Sequence, residues 1–153
     1  MTPLEGLTIS QRQNKLPHKN GPLRIAYWST DLQEHAVGLL LAEVFKRHDR
    51  ASFDVTLISY GKDDGSATRQ RLMDSADHFI DVRDNTLEEV VHLIRERGID
   101  ILVDLTGYTR NSRSQMMAMH AAPIQVQWLG FPGSLGTQHV DYILADNYVI
   151  PEG

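Results

Sequence analysis

From Leu23 onward the chain alternates short, nearly continuous apolar runs with segments whose apolar residues recur at helical spacing. That alternation limits the fold more than any other feature. An apolar run with no polar face needs cover on both sides, which is the situation of a strand inside a parallel sheet. LRIAYWS (23–29), FDVTLISY (53–60), IDILVDL (99–105), IQVQWLG (124–130) and VDYILAD (140–146) are runs of this kind. A brief apolar segment, His78–Val82, falls among them.

The intervening segments read as helices. Val37, Leu40, Leu41, Val44 and Phe45 lie at i, i+3, i+4, i+7 and i+8 and predict one buried helix face. SATRQRLM (66–73) is a short helix candidate, and RSQMMAMH (113–120) another, ended by Ala121-Ala122-Pro123. Thr86-Leu-Glu-Glu89 is a capping box, with Leu87, Val90, Val91 and Ile94 as the buried stripe and Gly98 as the stop. Strands separated by crossover helices predict an α/β, doubly wound parallel sheet. The polar, proline-bearing residues 1–22 read as a linker or leader, and 23–153 as one domain.

Composition narrows the function classes. Fifteen Lys and Arg stand against 20 Asp and Glu, a net charge of −5, so no basic field gathers nucleic acid. The chain has no cysteine, which excludes disulfides, thiolate zinc sites and a cysteine nucleophile. With no signal-peptide pattern and no apolar run long enough to span a bilayer, a cytoplasmic protein with no membrane partner is expected. The seven histidines form no tight ligand pair, so no metal is expected. Met116, Met117 and Met119 read as core filler.

In an open parallel sheet, ligands bind beyond the carboxyl ends of the strands, so the loops there are the candidates. The first, 30–38, has no G-x-G-x-x-G, and no P-loop pattern occurs anywhere. It does place Asp31 and His35 four residues apart. A histidine there can exchange a proton near neutral pH while the carboxylate orients it; on spacing alone the favoured reading is a helix N-cap, with Asp31 and His35 merely solvating the turn. Asp63-Asp64, in the loop 61–66, reads as a turn or as carboxylates for a divalent metal, with the turn favoured for want of an Asp-x-Asp spacing. Loop 106–113 carries Arg110 and Arg113, suited to anions or to solvent. Loop 130–137 is glycine-rich, and Phe131 and Pro132 add a stiff apolar surface. Asp146-Asn147 says little.

LRIAYWSTDLQEHAVGLLLAEVF, DGSATRQRL, HFIDV, GIDILVDLTGYT, APIQVQWLGFPGSLGT and VDYILAD occur in this order over residues 23–150. Together they resemble the catalytic region of the O-linked N-acetylglucosamine transferase family, including its SPINDLY-like and bacterial relatives. The resemblance implies a GT-B architecture: two Rossmann-like halves, usually preceded by tetratricopeptide repeats, with the active site between them. It implies inverting, metal-independent transfer of a sugar, typically from UDP-N-acetylglucosamine, to protein serine or threonine hydroxyls, without a cofactor. The chain resembles the amino-terminal half. Its partners would be the nucleotide sugar, a protein or peptide acceptor and the carboxyl-terminal half, which holds most donor contacts.

By the same resemblance, His35 matches the active-site histidine and Asp31 the aspartate that helps relay the acceptor proton. Gly130, Phe131, Pro132 and Gly133 match the loop lining the cleft near donor and peptide, with Phe131 in place of the commoner tyrosine. Ala36 and Val37 depart from the Pro and Thr of animal enzymes, which bears on the donor sugar. A fragment like this is expected to be inactive alone. The alternative reading is a non-catalytic Rossmann-like module that docks on a partner chain.

Overall fold

The computed structural model describes residues 20–105, 115–128 and 140–144. The expected linker up to Lys19, the loop 106–113, the Gly130–Gly133 loop and Asp146-Asn147 lie outside them. Six strands, β1 (Leu23–Ser29), β2 (Phe53–Ser59), β3 (His78–Asp81), β4 (Ile101–Asp104), β5 (Ile124–Trp128) and β6 (Tyr142–Leu144), form one sheet in the order β3-β2-β1-β4-β5-β6. Every pairing is parallel. The chain winds outward from β1 to β3, then crosses back to β4 on the other side of β1. That reversal is the hallmark of a doubly wound Rossmann-like sheet.

The period-2 alternation of side chains sends consecutive residues of each strand to opposite faces, and each face has its own core. Ile25, Tyr27, Val55, Leu57, Val103 and Val126 pack with Leu41, Ala42 and Phe45 of α1 (Ala36–Lys46) and Leu72 of α2 (Ala67–Ser75). Ala26, Trp28, Ile58 and Leu102 pack on the other side with Val90, Val91 and Ile94 of α3 (Leu87–Glu96) and Met116 and Met117 of α4 (Gln115–Ala118). Helices therefore cover both faces. This is why the strands read as nearly unbroken apolar runs.

The capping box forms as expected: the Thr86 hydroxyl accepts from the Glu89 amide, and Glu89 accepts from the Thr86 amide. At its other end α3 closes in a Schellman motif, with Gly98 at φ +63° donating to Arg95 and Ile99 donating to Ile94. The helix at 113–120 is one turn, Gln115–Ala118, among the described residues. The segment 78–82 proves to be a strand of the sheet over its first four residues.

One helix face differs from its expectation. Of the apolar stripe assigned to α1, Leu41 and Phe45 are buried, but Leu40 is 66% exposed and Val44 is also exposed; the Val37 side chain lies outside the described set. The buried positions are Gly38, Leu41, Ala42 and Phe45. The reason is steric. A Cβ on Gly38 would lie 2.3 Å from the Gln33 carbonyl oxygen and 3.2 Å from Leu72 Cδ1, so the helix turns its smallest residue toward the closest contact. In a helix apolar nearly all round, the spacing of large residues does not identify the inward face, and Gly38 with Ala42 does.

Candidate functional site

With every strand parallel, Ser29, Ser59, Asp81 and Asp104 end their strands on one edge of the sheet. The chain leaves β1 there through a segment, Thr30–His35, that belongs to neither helix nor strand. It emerges beside β4, at the point where the winding reverses, the usual place for a ligand crevice. Trp28 stacks on Tyr60 at 4.1 Å beneath this edge, and the Tyr60 amide donates to the Ser29 carbonyl, lacing the exits of β1 and β2.

Asp31 and His35 come together on this segment. The Asp31 amide donates to Ser29 Oγ at 2.9 Å, which starts the turn. Its carboxylate Oδ1 lies 3.8 Å from His35 Nε2, a distance for charge attraction and orientation rather than a direct hydrogen bond. The Asp31 side chain is 15% exposed and that of His35 46%, so the carboxylate stands behind an imidazole that solvent or a substrate reaches. Burial raises the Asp31 carboxyl above the ordinary range, and His35 opposes the shift. Because α1 begins at Ala36, Asp31 lies too far upstream to cap it. The reading of Asp31 as a helix cap is thereby removed.

The loop after β2 meets this segment closely. A Cβ on Gly61 would lie 1.8 Å from the Thr30 carbonyl oxygen, so only glycine fits between the two backbones. Ser66 caps α2 by accepting from the Arg69 amide. Asp64 accepts from the Glu34 amide through one oxygen and from the Ser66 amide through the other; these bonds lower its pKa to about 2.

Arg69 is the residue that sequence reasoning missed. Its side chain is 4% exposed, and its guanidinium pairs with Asp63 at 3.2 Å and Asp81 at 3.1 Å while donating to the Leu32 carbonyl and Ser59 Oγ. It also lies over the Phe79 ring, 4.9 Å from its centroid. The signal was available in composition: ATRQRLMDS offers few apolar residues for a helix that must pack on a sheet. Something polar had to be buried there.

Among the described residues there is no group of three or more side chains able to hold a metal ion. A cavity of about 220 Å³, lined by Arg24, Asp54, His78 and Arg97 among others, opens at the amino ends of the strands. It is on the edge opposite His35. Gly130, Phe131, Pro132 and Gly133 follow β5 but lie outside the described residues, so their meeting with His35 is not placed.

Comparison with known proteins adds to this geometry. The model of glycosyl transferase family 41 matches residues 8–152. The chain is 37% identical over 129 residues to an Arabidopsis thaliana protein named probable UDP-N-acetylglucosamine-peptide N-acetylglucosaminyltransferase SEC, covering 84% of this chain and 13% of that one. It is 35% identical to the Caenorhabditis elegans UDP-N-acetylglucosamine-peptide N-acetylglucosaminyltransferase, covering 84% and 11%. A solved structure of a mutant O-GlcNAc transferase from Thermobaculum terrenum superposes with a TM-score of 0.81 at 36% identity, over 86% of this chain and 25% of that one. The chain thus spans only a small part of the length of each relative.

Proposed function

The chain belongs to glycosyl transferase family 41, and on that premise we propose that it is the amino-terminal half of the catalytic region of an inverting, metal-independent protein glycosyltransferase. In this reading the donor is UDP-N-acetylglucosamine, the acceptor is a serine or threonine hydroxyl, and a carboxyl-terminal Rossmann-like half holds most of the nucleotide. Gly130, Phe131, Pro132 and Gly133 line the cleft beside donor and acceptor. No cofactor takes part. The absence of cysteine fits a reducing compartment, and we place the enzyme in the cytoplasm.

The observation that carries this reading is the exposed His35 imidazole at the reversal point of the sheet, with Asp31 3.8 Å behind it. Neutral imidazole accepts the acceptor hydroxyl proton as the oxygen attacks the anomeric carbon from the face opposite the leaving group. The C1–O bond to the diphosphate breaks, and UDP leaves with the bonding pair. The Asp31 carboxylate favours the imidazolium as it forms and helps pass its proton on. In the longer enzyme, His35→Ala is expected to lower kcat by about 10²-fold or more, the range for loss of a positioned base. Steady-state transfer to an acceptor peptide, with circular dichroism confirming the fold, measures it. An unchanged kcat overturns the assignment.

A further inference from the structure

The segment between β1 and α1 carries both Asp31 and His35, yet it has no ladder or helix of its own to hold it. A loop places a side chain only as well as its backbone groups are held. Here alternate residues are gripped. The Thr30 carbonyl is in contact with Gly61, the Leu32 carbonyl accepts from Arg69 Nη1 at 3.0 Å, and the Glu34 amide donates to Asp64 Oδ2 at 2.9 Å. All three grips come from the loop after β2 and the helix it enters.

The gripping groups are themselves fixed. Arg69 is itself held in place, because Asp63, Asp81 and Ser59 engage three of its other donors and Phe79 lies against it. Asp63 also accepts from the Gly65 amide at 3.0 Å, and Asp64 from the Ser66 amide at 3.0 Å. Both members of the aspartate pair are thus engaged with backbone amides.

We propose that Asp63, Asp64 and Arg69 are positioning residues, forming a clamp that holds Leu32–Glu34 and so sets the Asp31 carboxylate against the His35 imidazole. Its relevance to catalysis rests on the reading of His35 given above, but the clamp has its own observables. The bonds that lower Asp64 to about pKa 2 keep it ionised at every pH where an imidazole can act as a base.

Nuclear magnetic resonance on the 153-residue chain tests the clamp. With Asp64→Ala, exchange of the Glu34 amide is expected to rise at least about fivefold, as a native hydrogen bond is lost. The Asp31 titration midpoint is expected to move down toward the ordinary carboxylate range as the loop opens to water. Amides of α3, on the other sheet face, stay at wild-type protection, which separates local release from loss of fold. Asp64→Asn keeps one acceptor oxygen and gives an intermediate effect. Arg69→Lys keeps the charge but not the fork, and moves both readouts in the same direction; should it fail to fold, Asp64→Ala decides. Wild-type Glu34 exchange and Asp31 titration in Asp64→Ala overturn the proposal. Full turnover in His35→Ala would instead defeat the catalytic reading while leaving these two measurements to judge the clamp.

Discussion

Burial raises the Asp31 carboxyl above its ordinary range, while His35 pulls it down. A carboxyl whose folded pKa lies above the unfolded one binds protons more tightly in the folded state, so its ionised form disfavours folding. That penalty is fully present above the raised folded value, shrinks as pH falls below it and is gone below the unfolded one. Asp31→Asn removes the charge with little change of shape. It is expected to raise the urea midpoint of the 153-residue chain at pH 7, with the advantage shrinking in acid, while lowering turnover in the longer enzyme. A midpoint that falls at pH 7 would mean that attraction to His35 outweighs desolvation. The spacing of Asp31 and His35 was legible because four residues of chain fix it. The grip of Asp64 on Glu34 was not, since it joins residues 30 apart in sequence.

At the scale of elements, one device recurs at three strand starts. Asp77, Asp100 and Asp141 each stand one residue before a strand, and each accepts through Oδ2 the amide of a residue in the neighbouring strand: Val55, Arg24 and Gln125. Each aspartate amide also donates to the carbonyl of that same residue. The closed ring satisfies groups that the slanted ladder of a parallel pair leaves open at its end, and it pins the register. Asp100 is buried, so Asp100→Ala leaves the Arg24 amide without its acceptor and is expected to destabilise the chain by about 1–3 kcal/mol in urea unfolding. A change within experimental error would show that water replaces the carboxylate. The capping box and Gly98 were legible because their partners lie within one helical turn. The three aspartates escaped notice because their partners lie on other strands, although Asp77 directly before the segment His78–Val82, and Asp100 and Asp141 second in their apolar runs, were in plain view. The inward face of α1 was hidden for another reason: large residues surround it, and the contact is made by Gly38.

Across the whole molecule, alternating strands and helices with crossovers of one hand call for a doubly wound sheet, and the order β3-β2-β1-β4-β5-β6 is one such sheet. The same order puts His35 at the reversal between β1 and β4, on the edge where a second domain would face it. One sheet edge offers one wall. Inverting displacement needs the acceptor oxygen, the anomeric carbon and the departing diphosphate held in line, and that alignment supplies much of the rate. On the proposed reading, the described residues supply only His35 as the base, Asp31 behind it and the residues that hold their loop. Their buried arginine is committed: the Arg69 guanidinium is held by Asp63, Asp81, Leu32 and Ser59, and is not free to receive a diphosphate. The 153-residue chain, which spans 25% of the Thermobaculum terrenum transferase chain it superposes on, is therefore expected to release no UDP from UDP-N-acetylglucosamine above the buffer rate, with or without an acceptor peptide. A coupled UDP-release assay measures this, run beside a longer enzyme that contains the chain. Turnover by the 153 residues alone, surviving addition of a chelator and abolished by His35→Ala, would show that one half holds and activates the donor by itself, and the two-walled reading of the cleft would fall.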